Sequence, residues 1–185
     1  MKYKKLNDLQ LGLDKIISSP KQIGIVKMIV SRPKIGIRKI QEMARLDKHL
    51  GLIGDNWHDR GSSSMQDKSA DVEAQLTIMN SRVITLMTQN RDQWSLAGDQ
   101  LYIGMDISRN NLPPGSYLKL GSAILKVSAK PHTGCKKFSE RFGLDVLSLS
   151  VLGKVVIYSL RGINHNPVES GIVHTGDTVI RQIDH

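Results

Sequence analysis

The chain has 185 residues, a length typical of one domain, and 39% of them are hydrophobic. Its one cysteine excludes an intramolecular disulfide framework, and no stretch approaches the roughly 18 consecutive apolar residues of a membrane span. The basic start is not followed by the compact apolar region of a signal peptide. These features predict a soluble, cytoplasmic protein that does not enter a membrane.

The net charge of +9 is concentrated near the start of the chain. Residues 1–50 hold 12 Lys and Arg against 4 Asp and Glu, whereas residues 51–185 hold 14 against 13. A basic surface attracts cofactor phosphates, nucleic acid or lipid headgroups, but it is also compatible with a plain solvated face. The few aromatic residues, 2 Phe, 2 Trp and 4 Tyr, argue against nucleic acid because bases stack on aromatic rings.

The chain is expected to begin with an N-terminal extension, residues 1–22, which is followed by one domain over 23–185. Apolar residues of the extension recur at helical spacing and predict a short amphipathic helix. The β-branched run 24–30, which ends before Arg32 and Pro33, predicts a strand. Residues 39–50 predict a helical turn or an irregular segment. After these segments the sequence predicts a glycine-bracketed turn at 51–55 and a long surface loop at 56–71.

The rest of the chain is mostly strand-like. A strand at 74–79 precedes a helix that Asn80 or Ser81 caps, and residues 109–115 predict a loop because they contain adjacent prolines and a glycine. Many short strands with regular glycine punctuation predict a mainly β fold, a closed or nearly closed β-barrel with a few short helices. The other predicted strands are 117–120 and 123–127, which form a hairpin, 154–160, 172–173 and 178–183.

The most unusual segment is 130–143, KPHTGCKKFSERFG, which contains the only cysteine, Cys135. Lys136 and Lys137 follow it, and neighbouring cations favour the thiolate, which is both a nucleophile and a soft-metal ligand. A single cysteine is otherwise often a small buried apolar residue. His132 and Cys135 resemble half of a metal site, but the chain has no second cysteine and no matching histidine pair, so a closed zinc site is not predicted.

A second candidate site is the loop that contains Arg109, Asn110 and Asn111. Its guanidinium and two amides offer donors and acceptors to an anionic or heterocyclic ligand, although the same residues also suit a plain turn. The glycines at 51 and 54 lack the Lys-Ser/Thr ending of a phosphate-binding loop, so no nucleotide site is predicted there.

Several motifs occur in an order that resembles a MOSC domain, the module named for the C-terminal part of molybdenum-cofactor sulfurases. The resemblance covers about residues 24–182, and it depends on the ordered series rather than on any one motif. The motifs are Arg32-Pro33 with Gly36-Ile37-Arg38, Gly51 to Trp57, Gln75 to Val83, Ala97 to Tyr102, Ser108 to Gly115, the Cys135 segment, Arg161 to Asn164, and Gly176-Asp177.

This resemblance implies a β-barrel of the MOSC and pyruvate-kinase type that binds molybdenum cofactor. The cysteine matching Cys135 is a thiolate ligand of the metal in family members that hold the cofactor. Asp55 is expected to shape the site through its turn. The expected contacts to the pterin and its phosphate are Arg109, Asn110 and Asn111, with Arg38, Lys136 and Arg141 as further anion contacts.

The function implied is an oxidoreductase that reduces N-hydroxylated or related small molecules with electrons from a separate donor protein. Two departures put turnover in question. Many such reductases have proline directly before the cysteine, where this chain has Gly134, and neither an electron-transfer extension nor a pyridoxal-phosphate desulfurase domain is present in the sequence. One alternative is a sulfur carrier with a persulfide on Cys135, supplied by a sulfur-donor protein. Another is a non-enzymatic module that binds anions or RNA.

Overall fold

Extended segments separated by glycine turns dominate the regular secondary structure. The computed structural model describes residues 5–133, 136–145 and 159–182. Its strands are β1 Ile23–Ser31, β2 Lys39–Gln41, β3 Met43–Asp47, β4 Gly51–Leu52, β5 Leu76–Asn80, β6 Leu101–Ile103, β7 Tyr117–Leu120, β8 Ala123–Val127, β9 Ile163–Glu169, β10 Gly171–His174 and β11 Thr178–Gln182. Its α-helices are α1 Leu6–Leu11, α2 Leu13–Ile17, α3 Trp57–Arg60, α4 Ser81–Met87 and α5 Lys136–Phe142, and two 3₁₀ helices span Val72–Ala74 and Arg91–Ala97.

Seven of these strands close into a barrel in the order β11-β7-β8-β9-β5-β6-β1. The barrel closes where β1 pairs with β11, with Ile23 opposite Ile180. β5 and β6 run parallel, and the other barrel neighbours are antiparallel. β2 pairs with the far end of β1, and β10, β3 and β4 form a second, small sheet. The prediction of a mainly β barrel with a few short helices is confirmed.

The alternation of side chains along the strands divides the apolar residues between two cores. Ile29 of β1 belongs to one cluster, which takes residues from all seven barrel strands and from the small sheet. Met28 and Val30 belong to the other cluster, which lies between the barrel and helices α1, α2, α4 and α5. The helices therefore cover one side of the barrel, over β1, β5 and β6.

The helix predicted after β5 is confirmed. The side chain of Asn80 accepts a hydrogen bond from the backbone N–H of Arg82 at 2.9 Å, which satisfies one of the free donors at the start of α4. The amide nitrogen of Asn80 also donates to the Ser19 hydroxyl at 2.9 Å. Val83 and Ile84 are buried, as their place on the apolar face of the helix requires. One side chain thus links α4 to the segment that precedes β1.

The prediction for residues 39–50 is wrong. This segment forms β2 and β3 before it turns into β4. Ala44 and Leu46 are buried, and Met43 and Arg45 are exposed, which is the two-residue period of a strand. β10 supplies the partner for β3, with Val173 opposite Ala44. This alternation is too short to predict a strand by itself. The pairing with β10, which is distant in the sequence, is what makes the segment a strand.

β9 is a strand that the sequence did not predict, because Pro167 and several polar residues interrupt its apolar pattern. Its partners are β5 and β8, with His165 opposite Leu76 and Val127. The strand predicted at 154–160 lies largely outside the described residues. Ser159 and Leu160, which are described, are not extended.

The first 22 residues contain α1 and α2 within the described part. Leu9 and Ile16 are buried against the outer cluster. Arg82 of α4 donates to the backbone carbonyl of Lys15 at 2.6 Å and to the Ser18 hydroxyl at 3.0 Å. Across the described ranges, none of the helices combines the length and the apolar character that spanning a membrane requires.

Candidate functional site

Three arginines converge on consecutive backbone carbonyls at the end of the 3₁₀ helix Arg91–Ala97. Arg141 donates to the carbonyl of Leu96 at 2.7 Å, Arg161 to that of Ala97 at 3.0 Å, and Arg32 to that of Gly98 at 3.0 Å. Carbonyls at a helix end lack partners within the helix, so they are free to accept these bonds. The three guanidiniums come from α5, from the turn before β9 and from the end of β1.

Arg32 is held by a buried carboxylate. Its Nε and Nη2 atoms lie 2.8 and 3.0 Å from the two carboxylate oxygens of Asp55, which is the bidentate geometry that suits a guanidinium. Asp55 also accepts from the backbone N–H of Arg32 and of Trp57. Because protein donors occupy both oxygens, Asp55 fixes the turn at 51–55 and the direction of Arg32.

Arg161 and Asp99 form a second buried ion pair, next to the first. Arg161 Nη1 lies 2.7 Å from Asp99 Oδ2, and the two side chains are 8% and 0% exposed. Burial raises the pKa of Asp99 above its ordinary value, and the charges of Arg161 and Arg32 act in the opposite direction. The Nε atom of Arg161 is buried and has no hydrogen-bond partner within the described ranges. The arginine therefore neutralises Asp99 without using all its donors.

His132 lies on the other side of Asp99. Its Nδ1 atom is 3.6 Å from Asp99 Oδ1, and both atoms are buried without another hydrogen-bond partner in the described chain. Burial lowers the pKa of His132 well below its usual value, and the charges of Arg161, Arg32 and His165 lower it further. The imidazole is therefore neutral near pH 7, so the contact with Asp99 is not an ion pair.

A cavity of about 210 Å³ opens beside this group, between the loop after β6, the segment that follows β8 and the segment that precedes β9. Arg161 and His132 form part of its wall, together with Arg109, Lys130 and Thr133. The described residues of the wall include the cations Arg109, Lys130 and Arg161 but no carboxylate. Such a cavity favours an anionic or strongly polarised ligand.

The charge of Lys130 is already paired. Its Nζ contacts the carboxylate of Asp71 and donates to the Ser64 hydroxyl at 2.9 Å. Burial opposes ionisation of Asp71, but hydrogen bonds from Lys130, Ser64 and the backbone of Glu73 lower its pKa overall. Lys130 therefore ties the surface loop at 61–71 to the wall of the cavity, whereas Arg109 remains exposed at the rim.

The predicted site residues occupy different environments. Burial lowers the pKa of Arg38 below its usual value, and the nearby charges of Arg141 and Arg32 lower it further. The Lys136 side chain is 91% exposed, and its Nζ atom lies 4.0 Å from Glu140 Oε1. Arg38 is half-buried, and its Nε atom has no hydrogen-bond partner among the residues described. Hence the fold joins Arg38 and Arg141 into one cationic group and leaves Lys136 at the surface.

The loop residues also differ from one another. Arg109 and Asn110 are exposed, whereas Asn111 is 3% exposed. The Asn111 amide donates to the carbonyls of Lys21 and Asp106, at 2.9 and 2.7 Å, and its oxygen accepts from Arg181 at 3.2 Å. Asn111 therefore anchors the loop, and Arg109 brings it to the cavity.

Cys135 lies outside the described residues, so its predicted role as a metal ligand remains a prediction. Within the described ranges, no three His, Asp or Glu side chains are grouped so as to hold a metal ion. The described residues on either side are Thr133, in the wall of the cavity, and Lys136, the first residue of α5.

The buried group of Asp99, His132 and Arg161 was not predicted as a binding site. The signal in the sequence was a charged residue beside a glycine, in Gly98-Asp99 and Arg161-Gly162. Gly162 has φ +100, and a Cβ there would lie 3.2 Å from both Asp99 Oδ1 and His132 Nδ1. The glycine thus lets the backbone close over the two unpartnered atoms.

No family model and no curated protein sequence matches the chain. Solved structures do share its fold. The YuaD protein from Bacillus subtilis superposes with a TM-score of 0.65 at 13% identity, over 88% of this chain and 97% of that one. YiiM from Escherichia coli gives 0.53 at 18% identity, over 87% and 71%. YiiM from Geobacillus stearothermophilus gives 0.52 at 9% identity, over 89% and 75%.

These neighbours support the MOSC-type fold that the ordered motifs predict. At such low identity they establish the fold alone, because one fold hosts many functions. The function has to be argued from the cavity and its side chains.

Proposed function

We propose that the protein binds molybdenum cofactor through Cys135 and reduces N-hydroxylated or related small molecules with electrons from a separate donor protein. The observation that supports the proposal is the cavity beside Arg161 and His132, whose wall includes Thr133 and the exposed cation Arg109. Thr133 precedes Cys135 by two residues, and consecutive Cα atoms are about 3.8 Å apart. Chain connectivity alone therefore keeps the two Cα atoms within about 7.6 Å.

The side chains around the cavity fit such a group. Molybdenum cofactor is anionic because it carries a phosphate and binds metal through sulfur. Among the described residues, the buried Nε atom of Arg161 has no hydrogen-bond partner, and neither has the Nε atom of Arg38, whose pKa the charge of Arg141 lowers. Buried cationic donors without partners are costly to leave unpaired, so an anionic ligand would stabilise them.

Each predicted residue then has a role that its environment allows. Cys135 would ligate the metal, and the cationic group of Arg38 and Arg141 would hold the phosphate, with Lys136 as an outer contact. Arg109 and Asn110 would contact the pterin from the rim, and Asn111 would hold their loop in place through its internal hydrogen bonds. When bound, the cofactor would supply the oxygen-transfer chemistry, and these side chains would supply binding and orientation.

Metal analysis of purified protein tests the proposal. The full chain is produced in a host that makes molybdenum cofactor, and molybdenum and pterin are measured for the wild type, for Cys135→Ala and for the surface control Lys119→Ala. Near-stoichiometric metal in the wild type and the control, with at least a tenfold loss in Cys135→Ala, is the expected result. Protein without metal but with cyanide-releasable sulfur on Cys135 would instead establish the sulfur carrier.

A further inference from the structure

The pair formed by His132 and Asp99 determines which nitrogen of the imidazole carries the proton. The 3.6 Å between Nδ1 and Oδ1 is longer than a hydrogen bond of about 2.7–3.2 Å and too short to hold a bridging water. Neither atom accepts or donates a hydrogen bond of ordinary geometry in the described part of the chain, although the Thr77 hydroxyl is near enough to Asp99 to lower its pKa. A shift of about half an ångström would therefore close a direct hydrogen bond between them.

The direction of that hydrogen bond follows from Arg161. Burial raises the pKa of Asp99, but the Nη1 atom of Arg161 lies 2.7 Å from Asp99 Oδ2, and this direct contact with a guanidinium holds the carboxylate as an anion that only accepts. The neutral imidazole must then donate from Nδ1. The proton is consequently absent from Nε2, which becomes a hydrogen-bond acceptor.

The exposed edge of the imidazole faces the cavity. The His132 side chain is 16% exposed, Nδ1 is buried, and the residue forms part of the cavity wall. The exposed atoms therefore do not include Nδ1, and Nε2 is the ring nitrogen that remains for a ligand in the cavity. Around it the described wall contributes cationic donors, Arg109 and Arg161, but no carboxylate.

A ligand that fits this wall offers a hydroxyl or N–H donor to Nε2 and an oxygen acceptor to a guanidinium. We propose that His132, oriented by Asp99, accepts a hydrogen bond from the hydroxyl group of an N-hydroxylated ligand, and that this contact selects the hydroxylated compound over the compound without the hydroxyl. The inference rests on the proposed function for its substrate class, and Asp99 acts as the positioning residue.

The tautomer is tested first, by ¹⁵N NMR of the full chain from a host that lacks molybdenum cofactor. His132→Gln identifies the His132 signals by their loss. We expect a protonated Nδ1 and an unprotonated Nε2 in the wild type at pH 7. In Asp99→Asn the introduced amide can donate to Nδ1 while its oxygen still accepts from Arg161, so the proton should move to Nε2. A wild type protonated on Nε2, or an unchanged tautomer in Asp99→Asn, would overturn the proposal.

Ligand selection is tested on the same protein with N-hydroxyurea as the probe and urea as its matched partner. We expect N-hydroxyurea to shift the Nε2 signal and to bind at least fivefold more tightly than urea. His132→Gln keeps an acceptor and should retain part of the preference, whereas His132→Phe should abolish it. Equal binding of the two compounds, or a preference that survives His132→Phe, contradicts the proposal. Because these measurements need no metal, they fail or succeed independently of the molybdenum analysis.

Discussion

The guanidinium carbon of Arg161 lies 4.4 Å from the centroid of the Phe138 ring, over its face. Phe138 belongs to α5, whose first residue directly follows Cys135. The stacking contact therefore connects the helix after the cysteine to the ion pair of Arg161 and Asp99. A change in that ion pair should affect both the stability of the fold and the position of the helix.

Replacing Arg161 should be strongly destabilising because it leaves a buried carboxylate without its counter-ion. We expect Arg161→Met to lower the free energy of unfolding by about 3–5 kcal/mol. The same replacement in the Asp99→Asn background should cost clearly less, since no charge is then stranded. Urea unfolding of the four proteins measures the coupling. Equal costs in the two backgrounds would show that the ion pair does not carry the effect.

Acid should destabilise the protein through His165, which is fully buried in β9. Burial lowers the pKa of His165 from 6.5 to about 4, although the hydrogen bond with the Ile163 carbonyl opposes the shift. The unfolded chain therefore takes up a proton as the pH falls below about 6.5, whereas the folded chain does so only near pH 4. The free energy of unfolding should fall by about 3 kcal/mol across this window.

The histidine contribution is isolated by His165→Gln, which cannot titrate. Its free energy of unfolding, measured in urea between pH 4 and 7, should show a much smaller slope than the wild type. His132 has a lowered pKa too and contributes in the same direction, so some slope should remain in the variant. A slope unchanged by the replacement would assign the acid sensitivity to other groups.

Asn80 should contribute to stability in two separable ways. Asn80→Ala removes both the cap of α4 and the bond to Ser19, so we expect a loss of about 1–2 kcal/mol. Asn80→Asp keeps the oxygen that accepts from the Arg82 N–H but removes the amide donor, and should cost less. Thermal and urea unfolding compare the variants. If the aspartate variant were as unstable as the alanine variant, the contact with Ser19 would dominate.

Arg38 should destabilise the protein when no anion is bound beside it. Burial and the charges of Arg141 and Arg32 lower its pKa, which means that the folded state disfavours this cation. We expect Arg38→Gln to raise the melting temperature at low salt and to lose part of that effect at high salt, where charges are screened. Lys39→Gln, at an exposed neighbour, is the control for a general loss of positive charge. A lower melting temperature for Arg38→Gln would contradict the prediction.

The barrel could be predicted because its strands carry local signals. The hairpin of β7 and β8 is an example, since two apolar runs flank Gly121 and Ser122. Gly121 has φ +54, and a Cβ there would lie 2.2 Å from the Ile172 carbonyl oxygen, so the turn requires glycine. β9 lacked such a signal because its register depends on β5 and β8 rather than on its own alternation.

The site was predicted less completely than the barrel. Asp99, His132 and Arg161 are separated by about thirty residues each, and only the register of the barrel strands brings them together. Motif order indicated the loop of Arg109, but spacing gave no sign that Asn111 turns inward while Arg109 reaches the cavity. Convergence of distant side chains is a property of the tertiary structure, and a single sequence does not encode it in any local pattern.

The parallel pairing of β5 with β6 has a consequence for how the site could change. Two parallel neighbouring strands require a crossover connection. Residues 81–100 must therefore leave the barrel at the end of β5 and return to the end at which β5 begins, where β6 starts. This excursion contains the three carbonyls that receive the arginines, together with Asp99. Sequence changes confined to that segment would act on Asp99, and through it on Arg161 and His132, while the paired residues of β5 and β6 stay as they are. The crossover is therefore a segment through which the surroundings of the cavity could change without a change in the barrel.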